Sequence, residues 1–166
     1  MNFSRILRHL FTGPRAVRRI FPDTALAAIE KAIRQSEISN DGEIVFAVEA
    51  ALDTLPLIAD QPARERAIEV FSQLRVWDTE HNNGVLIYLL LADHDVEIIA
   101  DRGIAGRVGN EAWEAICHEM ETAFRQGRFE AGVITGIGAI GTHLQEHFAS
   151  ERKVGENELP DRPVIL

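Results

Sequence analysis

The chain has 166 residues, 46% hydrophobic and 26% charged, with a formal charge of −9 and one cysteine, Cys117. That size and balance describe a globular domain able to bury about 70% of its extended surface, not a disordered chain. A lone cysteine excludes an internal disulfide and a cysteine-based zinc site, and the longest apolar run, residues 84–92, falls short of the roughly 20 residues needed to cross a bilayer.

Charge is uneven along the chain. Residues 1–20 hold Arg5, Arg8, Arg15, Arg18 and Arg19 and no acid, which gives +5 there and leaves −14 on residues 21–166. An acidic body repels phosphate backbones, so nucleic acid is not an expected partner. In the leader, Phe3, Ile6, Leu7, Leu10 and Phe11 recur at helical spacing opposite Arg5, Arg8 and His9. Two uses fit such a helix: docking on its own domain, or contact with a protein or an anionic membrane surface through the arginines. No 7–15-residue apolar core with a cleavage site follows. The expected location is therefore cytoplasmic, with peripheral association at the inner membrane if the leader meets lipid.

Phe21-Pro22-Asp23-Thr24 starts a helix with Leu26, Ile29 and Ile33 on its apolar face, and Ser39-Asn40-Asp41-Gly42 stops it. Glu43–Val48 reads as a strand, followed by an irregular stretch around Pro56. Pro62 opens a second helix. Val85–Leu91, continuously apolar, predicts a central strand covered on both faces. The turn Ala92-Asp93-His94-Asp95 returns the chain into Val96–Ala100 as an antiparallel hairpin, whereas the two strands separated by a helix should be parallel. Two further helices carry Trp113, Ile116, Met120 and Phe124, then Phe129, Val133, Ile137, Ile140, Leu144 and Phe148. The expected fold is α/β, a central mixed sheet between helices. Residues 1–20 form a basic amphipathic leader, 21–149 the domain, and 150–166 a charged, mobile tail.

Gly136–Gly141 reads GIGAIG, the letters of a dinucleotide fingerprint, but it lies inside a continuous helical register, where that fingerprint needs a preceding strand. We expect these glycines, with Gly132, to permit close packing, and we expect no dinucleotide.

The best candidate for a site is the loop 78–84. A hairpin brings it to the end of the returning strand, so Asp78, Glu80, Asn82, Asn83 and Asp101 are candidate ligands in one cleft. Oxygen-only donors favour calcium or magnesium over zinc. The same residues also have structural uses: Asp78 capping a turn, Asn83-Gly84 making a bend, Asp101 pairing with Arg102 or Arg75. His143 and His147, one helical turn apart, lack the glutamate of a zinc-protease motif. The sequence also has no Cys-x5-Arg or Asp-x-Asp nucleophile motif.

Gly84-Val85-Leu86-Ile87, Arg102-Gly103-Ile104 and Phe124-x-x-Gly127-x-Phe129-x-x-Gly132, with Gly42-Glu43-Ile44-Val45 upstream, together resemble the TPM domain family over about residues 22–148. The resemblance implies a mixed sheet between helical layers. The family includes a chloroplast thylakoid protein linked to photosystem II repair and a nematode membrane protein that modulates receptor channels. Many bacterial members are secreted or membrane-anchored, some are described as acid phosphatases, and some bind calcium. This chain resembles a bacterial cytoplasmic branch. It departs from the family pattern where acids are expected: Asn82, Ala105 and Asn110 stand there, Asn110 beside Glu111. The expected function is thus a non-catalytic accessory module at or near the membrane, with no required cofactor. The alternative is a calcium- or magnesium-dependent acid phosphatase.

Overall fold

A computed structural model describes residues 3–149 and 157–166. Two short helices open it, α1 (Phe3–Phe11) and α2 (Pro14–Ile20), followed by α3 (Asp23–Glu37), β1 (Glu43–Glu49), α4 (Thr54–Ile58) and α5 (Ala63–Gln73). The hairpin β2 (Gly84–Leu90) and β3 (Asp95–Ala100) precedes α6 (Arg102–Ala105), α7 (Asn110–Arg125) and α8 (Phe129–His147), and Val164–Ile165 forms β4. The described strands make one sheet in the order β3-β2-β1-β4, with β1 parallel to β2 and to β4, and β2 antiparallel to β3. The fold is mixed α/β, as the hydropathy pattern implied.

Strand alternation divides the core into two layers. Ile44, Phe46, Val48, Val85, Ile87 and Leu89 face α3, α7 and α8, together with Val17 and Phe21. Val45, Ala47, Leu86, Tyr88 and Leu90 face the α4–α5 side with Leu57, Ala67 and Val70. Both central strands are buried along their whole length, which is why neither shows a polar face in the sequence.

The stretch Gly136–Gly141 lies within α8, with no strand leading into it. A Cβ at Gly136 would collide with Met120 of α7, one at Gly132 with Phe124, and one at Gly141 with Ser36 of α3, so these glycines set how closely the helices approach. Gly138 departs from that expectation, because nothing lies within 4 Å of its Cβ position.

Two stretches read as irregular are ordered. Thr54–Ile58 is helical despite Pro56, which occupies the first turn, where its missing N–H has no carbonyl to meet. Of the tail, residues 150–156 lie outside the described residues, but the expectation of mobility fails for 157–166. Val164 and Ile165 pair with Ala47 and Val48, and the Leu166 N–H donates to the Val48 carbonyl at 3.0 Å. Two prolines hid this strand, and so did its length of two residues: it exists because β1 offers an unpaired edge.

The same segment brings acids together. Asp161 is buried, and Arg34 of α3 donates to it at 3.1 Å. The Glu43 carboxylate accepts from the Glu158 and Leu159 N–H groups, each at 3.2 Å. Glu37 accepts from the Ile44 N–H at 3.3 Å. Burial, reinforced by Glu43 and Asp161, pushes the Glu37 carboxyl up to about 9 from 4.5. Below pH 4.5 Glu37 is protonated in both folded and unfolded chains. Between 4.5 and about 9 the unfolded chain ionises it while the folded chain holds the proton, so stability falls as pH rises. Glu37→Gln should remove that component. Its amide still accepts from Ile44 and donates toward Asp161, so in thermal melts the variant should gain several degrees over the parent at pH 8.5 and little at pH 4.5.

Candidate functional site

Parallel pairing puts the starts of β1 and β2 at one rim of the sheet, and antiparallel pairing brings the end of β3 there too. The loop 78–84 therefore does meet Asp101. The Asp101 N–H donates to the Gly84 carbonyl and the Gly103 N–H to the Asn82 carbonyl, both at 2.9 Å. This crossing is tight. A Cβ at Gly103 would overlap the carbonyls of His81 and Asn82, and one at Gly84 would overlap that of Val76. Asn82 has φ of +52°, a left-handed conformation that asparagine tolerates well.

Within that frame the candidate ligands are largely engaged in local bonds. Asp78 is exposed and pairs with Arg75 at 2.6 Å, and the Arg75 guanidinium also lies over the Trp77 ring. The Glu80 N–H donates to Glu158 at 2.7 Å, so the C-terminal segment reaches this loop. Asn82 Oδ1 accepts from Arg102 Nε at 3.0 Å. Asn83 is fully buried: its N–H donates to Thr79 Oγ1 at 3.1 Å and its Nδ2 to the Asp41 carbonyl at 2.8 Å. Asp101 caps α6, its Oδ1 accepting from the Arg102 N–H at 2.7 Å. Two buried oxygens in this group, Asn83 Oδ1 and Asp101 Oδ2, have no hydrogen-bond partner among the described residues. Among the described residues, no group of three or more His, Cys, Asp or Glu side chains is arranged to hold a metal ion. The Arg102 guanidinium stands beside Asn82, where a cation would need open oxygens. Two orphan oxygens do not make a calcium cage, which takes six to eight oxygen ligands.

His143 and His147 form no cluster either: His143 Nδ1 lies 3.7 Å from Glu146, and the His147 carbonyl accepts from Arg107 at 3.0 Å. Between β3 and α7 lies a cavity of about 440 Å³ lined in part by Asp95, Glu97, Trp113, Cys117 and Glu121. Burial pushes the Cys117 thiol up to about 12, and nearby Glu97 adds to it, so the sulfur stays protonated and is no nucleophile. Burial and neighbouring Glu97 and Glu121 push Asp95 up to about 6.

The opposite rim, where β1 and β2 end, gathers Arg5, Arg8 and His9 on one acid, Asp93, an anchor missed in the sequence. Arg5 donates to Asp93 at 2.8 Å, to Asp60 at 3.0 Å and to the Gln61 carbonyl at 2.8 Å. Arg8 donates to Asp93 at 2.9 Å and to the Ala92 carbonyl at 3.2 Å. His9 is buried; the Leu52 N–H donates to its Nδ1 at 3.0 Å, which places the ring hydrogen on Nε2, 3.2 Å from Asp93. Burial alone would raise the Asp93 carboxyl, but hydrogen bonds from Arg8 and Arg5, with the His9 ring close by, outweigh it and hold Asp93 below the usual range. The arginines split: Arg5 is largely covered, Arg8 is tied to Asp93 but half exposed, and Arg15, Arg18 and Arg19 are exposed on α2. Asp93 was read as one letter of a turn, and a turn acid gives no sign of partners nearly ninety residues away.

A family model described as the TPM domain matches residues 18–143. The chain belongs to the TPM domain family. Among solved structures, the NMR structure of the BA42 protein from the psychrophilic bacterium Bizionia argentinensis is 30% identical, with a TM-score of 0.74 over 86% of this chain and 92% of that one. The N-terminal domain of a P. gingivalis protein, also solved by NMR, is 22% identical with a TM-score of 0.56, over 74% of this chain and 76% of that one, and this likeness shows the fold alone. No curated protein matches the chain. Among the described residues no helix is long and apolar enough to cross a membrane.

In this TPM domain Asp101 and Asp78 should differ in what they do for stability. Asp101→Ala removes a helix cap and should lower unfolding free energy by about 1 kcal/mol. Asp78→Ala breaks an exposed ion pair and should change it by less than about 0.5 kcal/mol. Urea denaturation of the two variants measures both.

Proposed function

We propose that this TPM domain is a non-catalytic accessory module whose contact surface is the helix pair α1–α2. The observation that carries the reading is the orientation of α1. Its cationic face is turned inward onto Asp93, and its apolar residues Phe3, Leu7, Leu10 and Phe11 are turned to solvent. A helix that only needed to cover its own domain would bury that stripe. The position of α1 also speaks against chemistry at the usual place. In open α/β sheets ligands bind beyond the carboxyl ends of the strands. Here α1 is bonded to Leu52, Ala92 and Asp93, just past those ends of β1 and β2.

The reading requires that the full chain show no turnover of a phosphomonoester such as p-nitrophenyl phosphate at pH 5 to 7, with or without calcium or magnesium. Turnover abolished by Asp101→Asn would overturn it.

A second reading, divalent-metal binding with phosphatase activity at the other rim, is favoured by the orphan oxygens of Asn83 and Asp101. It requires saturable binding of calcium or magnesium in calorimetry of the chelator-stripped protein, lost in Asp78→Ala/Asp101→Ala. The expected outcome is no saturable heat at millimolar metal, because Asp78 is held by Arg75 and Arg102 stands beside Asn82.

A further inference from the structure

Building on the reading of α1–α2 as a contact surface, we propose that its occupant is an anionic lipid surface, met by a ridge of α1 and α4. The ridge is apolar. Phe3, Leu10 and Phe11 are 71%, 70% and 85% exposed, while Ile6, on the inner side, packs on the α4–α5 layer. Arg5 is bonded to Asp60 and Gln61, and His9 to Leu52, so α1 runs alongside the α4 segment between those positions. That segment adds Leu55 and Ile58, 80% and 56% exposed. Six large apolar side chains, counting Leu7, thus belong to these two adjacent helices, whereas the other five exposed large hydrophobics among the described residues, Ile38, Ile68, Trp77, Ile165 and Leu166, are spread over four separate segments.

Charge selects lipid over a neutral apolar partner. Arg15, Arg18 and Arg19 follow directly on α2, exposed and in no ion pair among the described residues. The body beyond residue 20 carries −14 and is repelled by an anionic surface. The leader is thus the side that a phosphate-bearing surface attracts, and the chain approaches α1 first. On contact, the phenylalanine and leucine side chains enter the headgroup boundary and the α2 arginines remain at phosphate depth, the arrangement of an interfacial helix.

The inward arginines take a different part. Arg5 and His9 are covered and do not touch lipid; with the half-exposed Arg8 they hold α1 through Asp93, its apolar side out, before any membrane is met. The usual interfacial helix folds on arrival and loses entropy there. This one is already folded and oriented.

The test is sedimentation of the full chain with vesicles of phosphatidylglycerol and phosphatidylcholine, against vesicles of phosphatidylcholine alone. Binding is expected only to the anionic vesicles and should weaken on raising salt. Phe3→Ser/Leu10→Ser/Phe11→Ser alters exposed positions and should fold, as circular dichroism checks, yet lose at least about tenfold in partitioning. Arg15→Gln/Arg18→Gln/Arg19→Gln should lose about a hundredfold, whereas Arg107→Gln, past α6 at the opposite rim where it meets the His147 carbonyl, should bind as the parent does. No sedimentation with anionic vesicles, or binding unaffected by the α1 substitutions, overturns the lipid assignment. Neither result bears on whether the domain is catalytic, which the turnover measurement decides separately.

Discussion

Burial of β1 and β2 on both faces is the constraint from which the rest follows. All seven positions of each strand are closed to water, so the backbone pairs within the ladder and the faces carry mostly apolar side chains. In these two strands charge stands only at the ends, at Glu43 and Glu49 of β1. At the carboxyl rim Glu49 accepts from the Tyr88 hydroxyl at 2.6 Å and from Arg66 at 2.9 Å, closing the end of β1 with a polar lock. Burial, and then the bond to Glu49, raises the Tyr88 hydroxyl well above its ordinary range, so it stays a donor. Beside that lock Asp93 gathers Arg5, Arg8 and His9. The leader is attached by polar bonds because this rim offers acids, and its apolar side is left outward as a result.

The amino rim shows how a family's sequence letters can mark geometry before chemistry. Gly84 and Gly103 stand where backbone carbonyls pass too close for a Cβ, and Asn82 takes a left-handed conformation between them. Asn82 suits that conformation, and its side chain accepts from Arg102 instead of remaining open. These residues hold the hairpin end against the loop, a task any member with this crossing must perform whatever it binds.

The sequence made the sheet legible for a physical reason: a strand buried on both faces has no polar residue to disguise it, so Val85–Leu91 stood out. The long helices α7 and α8 were equally plain because their stripes run for several turns. The two-residue β4 was not legible, since its pairing belongs to the edge of β1 more than to its own letters. For the candidate site, the meeting of loop 78–84 with Asp101 followed from hairpin topology, but the partners of each side chain did not. Whether Asp78 faces Arg75 or an open cleft depends on a local rotamer. In the leader, periodicity revealed two faces without saying which looks inward. Apolar-in is the ordinary assumption, and a single acid at position 93 reverses it.

The place of β4 also bears on how the protein is made. β1 emerges from the ribosome long before the segment that pairs with its outer edge. During that interval β1 and β2 can join and gather helices, but Ala47 and Val48 keep unpaired backbone groups on an apolar strand. Such an edge is a template for pairing with another chain. The nascent domain is therefore exposed to off-pathway association until its C-terminal residues arrive, and the late strand acts as a seal on an edge formed early.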